Sequence, residues 1–301
     1  LYSSAASDVY KRQDYSEDLL SAARDIMKSD QHNTILIVGA SRGLGHAMAA
    51  TFLQHGLEVT GTVRDLSSHT PLHDLAKTHP LRLRLATLDI RDEAQLAALQ
   101  ATLPPASLDM LFVNAGTTNR DPSQTIGDVS TEEFYQVMLT NALAPMRVIE
   151  RLQQAVKPQG VLGVMSSGQG SLTNNLTGQR ELYRGSKAAL NMFMRSFAAR
   201  PSSASHPLVV MAPGWIRTEL GGADAPLTIE ETIPRLVNVL LDKRLRPDWS
   251  ISITRAVPCP GDPCRNNHHM AARKFTPPGA ACYRPYSAAL SLYSRFIVQK
   301  M

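Results

Sequence analysis

The stretch with the clearest helix and strand patterning holds no cysteine. All three, Cys259, Cys264 and Cys282, follow Pro258. No disulfide framework is implied, and a reducing, cytoplasmic setting is the simplest expectation. The spacing fits no zinc pattern, so no metal is expected, although His268 and His269 stand close by. Long apolar runs are also missing. None approaches the roughly 18 to 20 residues of a membrane-spanning helix, so no membrane association of that kind is expected. The first residues lack the charged, apolar and cleavage-site regions of a secretory leader. A single sign of charge is lacking once position is considered. The net charge of +5 comes from the two ends, from Lys11 and Arg12 and from Arg265, Arg273, Lys274, Arg284, Arg295 and Lys300. Between them acids and bases nearly balance, which argues against nucleic acid as a partner. No internal repeat and no domain boundary interrupts residues 30–245.

The ends read unlike the middle. Residues 3–13, SSAASDVYKRQ, match the conceptual translation of a transposase sequencing adapter, and residues 1–26 are expected to be a non-native or disordered extension. The alternative is an acidic amphipathic helix over 15–29. Met27 reads as a start, leading into TILIVGA. From about Pro258 the chain is rich in Pro, Cys, His and Arg without a helix or strand period. Residues 259–301 are therefore expected to be an irregular tail, disordered or frame-shifted. That leaves 27–258 as one domain.

Within it strands and helices alternate. The apolar, β-branched run TILIVGA (34–40) predicts a buried parallel strand. Leu44, Met48, Phe52 and Leu53 share one face of a helix over 44–55, and Gly56 stops it. Further strands are expected at 57–63, 81–90, 108–116, 160–167 and 206–214. Helices are expected at 71–78, 92–103, 131–156 and 183–199, the third capped by Ser130 or Thr131. WSISITRAVP (249–258) alternates as a seventh strand would. Strands separated by helical segments imply right-handed crossovers and an α/β fold: a doubly wound, parallel Rossmann-type sheet in three layers.

The first strand runs into GASRGLG, with Gly39, Ser41, Arg42, Gly43, Leu44 and Gly45. Glycines permit a tight turn and close approach to a pyrophosphate, and the helix that follows offers free N–H groups and a positive dipole end. Between a strand and a helix, this pattern predicts dinucleotide binding. The spacing GxxxGxG, in place of GxGxxG, resembles that of the short-chain dehydrogenases/reductases. Val113-Asn114-Ala115-Gly116 is similar to that family's Asn-Asn-Ala-Gly motif on the adenine side of the cofactor. Asp89, in LDI after the third strand, matches an aspartate that often faces the adenine ring. The resemblance covers about residues 33–245.

The cofactor's type follows from charge. NAD is held by a carboxylate at the end of the second strand, which would repel a 2′-phosphate. The matching residue here is Val63, followed by Arg64, and Arg42 lies where NADP-dependent members carry a base. Two guanidinium groups suit one phosphate, so NADP(H) is expected.

Tyr183-Arg-Gly-Ser-Lys187 matches the family's YxxxK, which puts tyrosine and lysine on one helix face. The tyrosine would protonate the alkoxide formed by hydride addition to a carbonyl, and the lysine would stabilise the phenolate and lower its pKa. By the resemblance the lysine also binds the nicotinamide ribose, Ser167 donates to the substrate carbonyl, and Asn141 supports a water relay to Lys187. The Ser–Tyr spacing exceeds the usual one by three residues, which implies an insertion in 168–182. Ser166 is the competitor for Ser167. Pro213, Gly214 and Thr218 correspond to a segment closing over the nicotinamide, with 215–233 as a mobile substrate loop hinged at Gly221 and Gly222. The loop, YRGSKAALNM and APGWIRTELGG resemble the carbonyl-reductase subgroup related to bacterial C-factor. The expected function is NADP(H)-dependent reduction of a small-molecule carbonyl, or oxidation of the alcohol, by a homodimer or homotetramer. The alternative is an NAD(P)-binding signalling or sensor protein with little turnover.

Overall fold

The structure, a computed structural model, describes residues 33–200 and 206–245 and the backbone of strand 252–255. All of these fall within the unit Leu1–Met270. The expected extension, 1–26, and the expected tail, 259–301, lie outside the described residues.

Seven strands form one sheet: β1 (Thr34–Val38), β2 (Glu58–Val63), β3 (Leu83–Thr87), β4 (Leu108–Val113), β5 (Val156–Met165), β6 (Leu208–Ala212) and β7 (Ser252–Arg255). Their order is β3-β2-β1-β4-β5-β6-β7 and every pairing is parallel. Order reverses between β1 and β4, so the crevice at their carboxyl ends is where a ligand is expected. The helices are α1 (Gly43–Gln54), α2 (Pro71–Thr78), α3 (Glu93–Thr102), α4 (Thr131–Met138), α5 (Ala144–Leu152), α6 (Glu181–Ala198) and α7 (Ile229–Leu245).

The period of two along β1 builds both faces. Ile35 and Ile37 pack with Met48 and Phe52 of α1 and Leu236 and Leu240 of α7. Leu36 and Val38 pack on the other side with Leu96 of α3, Ile149 of α5 and Leu190, Met194 and Phe197 of α6. Each such fully buried large side chain contributes about 1.5–3 kcal/mol. The fold is the three-layer α/β architecture expected from the sequence.

Three elements differ from expectation. The helix expected over 131–156 is divided: a π-helical turn at Leu139–Leu143 separates α4 from α5, and Val156 already belongs to β5. The last four residues of the expected helix run instead through Gln153–Ala155, a 3-10 turn, into the sheet. Helix α7 was not anticipated, and its start at Ile229 removes 229–233 from the expected substrate loop. Its beginning is fixed by a reciprocal cap: Thr228 Oγ1 accepts from the Glu231 N–H at 3.2 Å, and the Thr228 N–H donates to the Glu231 carboxylate at 3.0 Å.

Candidate active site

The glycine turn is held from both flanks. The Gly39 N–H donates to Thr62 Oγ1 on β2 at 2.9 Å, and Asn114 Nδ2 after β4 donates to the Gly39 carbonyl at 2.8 Å. Gly39 has φ of 86° and Gly43 57°, conformations that favour glycine. A Cβ on Gly45 would collide with the Gly39 carbonyl and sit 2.6 Å from Asn114 Nδ2. That glycine serves close packing of helix on strand. A Cβ on Gly43 would meet nothing within 4 Å, because this residue borders open space. The start of α1 has no side-chain cap and no acidic residue in its first turn. Helices α3, α4 and α7 are capped by Asp92, Ser130 and Thr228. The free N–H groups of α1 are thus left for an anion.

Of the site residues predicted from sequence, all but Gly45 and Asn141 line one cleft of about 1410 Å³. That is larger than the several hundred Å³ usual for a single small ligand and leaves room for a dinucleotide with a second molecule. At its adenosine end Arg64 is exposed and makes no hydrogen bond or ion pair among the described residues. Arg42 is paired with Glu219 (Nε–Oε2 3.1 Å), both side chains largely in solvent. Asp89 is gripped by Arg91 through Nε at 3.1 Å and Nη2 at 2.8 Å. Those bonds hold its carboxyl below the usual carboxylate range, with a smaller contribution from the Arg64 charge.

At the other end, Tyr183 and Lys187 project from the first turns of α6 and are both buried. Lys187 Nζ donates to the Met165 carbonyl at the end of β5 (2.9 Å) and lies 5.8 Å from the centre of the Tyr183 ring. Burial depresses its ammonium to about 8. Burial also raises the Tyr183 phenol, outweighing a hydrogen bond with Ser167 and the positive charge of Arg180, which both lower it. In the resting site Ser167 and Arg180 are the groups that lower the phenol, and desolvation outweighs them. Of the two candidate serines, Ser166 spends its hydroxyl on Asn191 Oδ1 at 2.6 Å. Ser167 accepts from the Gln169 N–H at 3.1 Å and bonds with Tyr183.

Asn141 is fully buried in the π-helical turn, behind the cleft wall. Its Oδ1 accepts from the Thr117 N–H at 2.8 Å, and its Nδ2 donates to the Thr117 carbonyl at 2.8 Å and to Ser186 Oγ at 2.9 Å. Ser186 in turn donates to the Tyr183 carbonyl at 2.8 Å. One side chain therefore ties the loop after β4 to the helix that bears Tyr183 and Lys187. A Cβ on Gly116 would lie 3.4 Å from both Asn141 Oδ1 and Lys187 Nζ, so all three meet at the same point.

The segment after β6 is less free than expected of a mobile loop. Gly214 has φ of 100°, Trp215 Nε1 donates to the Gly221 carbonyl at 2.7 Å, and Thr218 Oγ1 accepts from the Gly221 N–H at 3.0 Å. The Arg217 N–H donates to the Leu227 carbonyl at 2.9 Å, and Arg217 Nε to the Ala225 carbonyl at 2.8 Å. Sequence reasoning missed Thr62, Arg91, Thr117, Glu219 and Arg180 as cleft residues. Thr62 and Arg91 sit beside predicted strand ends and were legible as neighbours of Arg64 and Asp89. Glu219 and Arg180 are brought in by loops whose course no period specifies.

Among the described residues no helix is long and apolar enough to cross a membrane, and no group of three or more potential ligands is arranged for a metal. The sequence profile described as short chain dehydrogenase matches residues 33–226. A protein of Burkholderia multivorans assigned to the short-chain dehydrogenases/reductases, and solved with NADP bound, is 58% identical, with a TM-score of 0.72. The match covers 75% of this chain and 97% of that one. A carbonyl reductase of Pseudomonas aeruginosa PAO1 in complex with NADP is 34% identical, with a TM-score of 0.68, over 75% of this chain and 97% of that one. The C-signal of Myxococcus xanthus is 33% identical over 136 residues, 44% of this chain and 80% of its own length. With profile, topology and cleft in agreement, the chain belongs to the short-chain dehydrogenase family.

Proposed function

We propose that the protein is an NADP(H)-dependent carbonyl reductase, or in reverse an alcohol dehydrogenase, with Tyr183 as general acid and base. The observation that carries this reading is one cleft in which Tyr183, Ser167 and the buried Lys187 stand beside an uncapped helix start flanked by Arg42 and Arg64. The residues present suit the cofactor: the open space at Gly43 admits a pyrophosphate, and Arg64 is free for a 2′-phosphate. NADP relatives at 58% and 34% identity support the same cofactor.

When bound, NADPH supplies the hydride. The chain's own residues then handle charge and proton. Ser167 donates a hydrogen bond to the substrate oxygen, stabilising the negative charge that develops there. Tyr183 gives its phenolic proton to that oxygen, so carbonyl becomes alcohol and tyrosine becomes phenolate. A phenolate buried this deeply is costly in isolation. The Lys187 ammonium offsets the cost electrostatically and, being depressed to about 8, sits near the range in which it can pass a proton on. Asn141 acts through others, holding Thr117 and, by way of Ser186, the first turns of α6. A homodimer or homotetramer belongs to the proposal, supported by exposed Phe134 and Tyr135 on α4 and Met192 and Phe193 on α6.

The test is fluorescence titration of the full chain with NADPH and NADH, followed by turnover of Tyr183→Phe. The proposal expects a strong preference for NADPH, and a variant that binds cofactor but loses turnover. Equal turnover in the variant refutes the mechanism. The likeness to C-signal favours the second reading, a signalling or sensor protein. It predicts cofactor binding with negligible reduction of any carbonyl in the parent chain.

A further inference from the structure

Arg180 departs from three local rules at once. It stands just before α6, where Ser, Thr, Asn or Asp would bond the first free N–H groups, and its side chain makes no such bond. Its backbone is left-handed, with φ of 59°, a region that disfavours residues with a Cβ. Its Nε is buried and has no hydrogen-bond partner among the described residues. An unpaired donor on a charged group is among the costlier things to bury. Among the described residues no carboxylate forms an ion pair with Arg180. The adjacent Glu181 instead accepts from the Ile126 N–H at 2.8 Å.

The side chain is well placed in one respect. Arg180 Cζ lies 5.0 Å from the centre of the Tyr183 ring, and the residue lines the cleft with Ser167, Tyr183 and Trp215. Strain and unmet bonding that cluster beside a reacting group point to a ligand. The neighbouring Arg184 is not equivalent. Its Nε donates to the Gln179 carbonyl and its Nη2 to Thr177 Oγ1, so its donors are spent on holding the loop.

We propose that Arg180 is a specificity-determining residue that receives a carboxylate of the substrate, making the substrate class oxo acids with the carboxylate a few bonds from the carbonyl carbon. This rests on the reading of Tyr183 as the proton donor. A guanidinium binds a carboxylate through two parallel N–H groups, commonly Nε with one Nη, and Nε is the atom found without a partner. Among the described residues no hydrogen bond of the guanidinium has to break for it to take up a carboxylate. Stacking against the Tyr183 ring fixes where the carboxylate sits, so only a short spacer brings the carbonyl oxygen to the phenol.

The test compares 3- and 4-formylbenzoate with their methyl esters, following NADPH consumption by the full-length protein and by Arg180→Met and Arg180→Lys. The acid should exceed its ester in kcat/KM by roughly tenfold to a hundredfold, the range of a charge-assisted pair. Arg180→Met should bring that ratio close to one, and Arg180→Lys should keep part of it. A parental ratio near one, or a ratio unchanged in Arg180→Met, overturns the proposal. So does an equal fall for acid and ester with a shifted pH profile, which would mean that Arg180 acts only on Tyr183. If neither aldehyde is reduced, the reductase reading is what has failed. Tryptophan fluorescence titration of the NADPH complex with 3-(hydroxymethyl)benzoate and its methyl ester then decides the point. Acid-selective binding lost in Arg180→Met upholds the site, and equal binding of acid and ester refutes it.

Discussion

Replacing Asn141 by alanine removes three hydrogen bonds from one buried side chain, and the consequences can be followed atom by atom. The Thr117 N–H and carbonyl lose their partners at 2.8 Å each, while Ser186 loses one bond but keeps the one it donates to the Tyr183 carbonyl. Two orphaned backbone groups at about 1–3 kcal/mol each set the scale. Thr117 is half-buried and borders the cleft, so water recovers part of that loss. A net cost of about 2–3 kcal/mol follows, or a fall in Tm of roughly 5 to 10 °C for a domain of this size. Differential scanning calorimetry measures it directly. Ser186→Ala alone should cost only about 1 kcal/mol, because Asn141 Nδ2 still reaches the Thr117 carbonyl. The double variant should be less destabilised than the two singles added, by about 0.5 kcal/mol or more, since the same bond is lost in both. A Tm within 2 °C or so of the parent for Asn141→Ala, or strict additivity in the cycle, would refute the claim that this residue fastens the two halves of the site.

Other consequences follow from the same geometry. Gly43→Ala should fold with a loss of about 1 kcal/mol from its left-handed backbone yet bind NADPH poorly, since the new methyl enters the open space of the cleft. Gly45→Ala should fail to fold or be far less stable by urea denaturation, because its methyl meets the Gly39 carbonyl and Asn114. Arg64→Ala should weaken NADPH binding roughly tenfold or more while leaving NADH unchanged. Glu219→Ala should tighten NADPH at most about fivefold, the scale of an exposed ion pair, by releasing Arg42; unchanged NADPH affinity in both variants would remove these arginines from the phosphate site. Lys187, lowered from 10.5 to about 8, binds fewer protons folded than unfolded between those values. Its unfavourable contribution is complete below pH 8 and is relieved as pH rises to 10.5, so stability should climb across that window. The full shift corresponds to about 3 kcal/mol at most. Lys243 is lowered to about 8 as well, so Lys187→Met should reduce the upward slope in denaturation curves without abolishing it.

The sheet was legible because its central strands β1, β4 and β6 are buried almost throughout and read as short apolar runs. The helix expected at about 71–78 matches α2, Pro71–Thr78, whose start is marked by Thr70 and Pro71. The interrupted helix was not legible. A π-helical turn has almost the same local composition as an α-helix, and its cause is tertiary: Asn141 is drawn to Thr117 on another element. Helix α7 was hidden by Pro234 in its interior, which argues against a helix by removing an N–H and crowding the preceding turn. Yet Thr228-Ile-Glu-Glu231 spells a capping box, and Ile233, Leu236, Val237 and Leu240 repeat at helical spacing. Those two signals outweigh one proline. The glycine turn, Asn114 and the Tyr183–Lys187 pair were recoverable because each motif sits on, or directly at the end of, a regular element whose geometry fixes its direction. Arg180 and Glu219 were not, because each depends on where a loop delivers a side chain.

Three features that local rules fail to anticipate lie together. The π-helical turn at Asn141, the left-handed Arg180 and the buried ammonium of Lys187 all belong to the Tyr183 side of the cleft. Each is unfavourable when considered by itself, and such departures are retained mainly where function demands them. On the adenosine side the departures are milder: positive φ is confined to glycines, and the one locked acid, Asp89, is paired with Arg91. The contrast fits a division of labour. A dinucleotide can be held by ordinary turns and a helix start, with specificity added by surface charge at Arg42 and Arg64. Proton transfer to a carbonyl needs a phenol, a hydroxyl and an ammonium fixed in a dry place, and a dry place makes every unpaired polar group costly. The core that packs β4, β5 and α6 together, centred on Leu111, Leu162, Leu190 and Phe197, is what holds those costs in check. Substitutions there should therefore disturb turnover before they disturb cofactor binding.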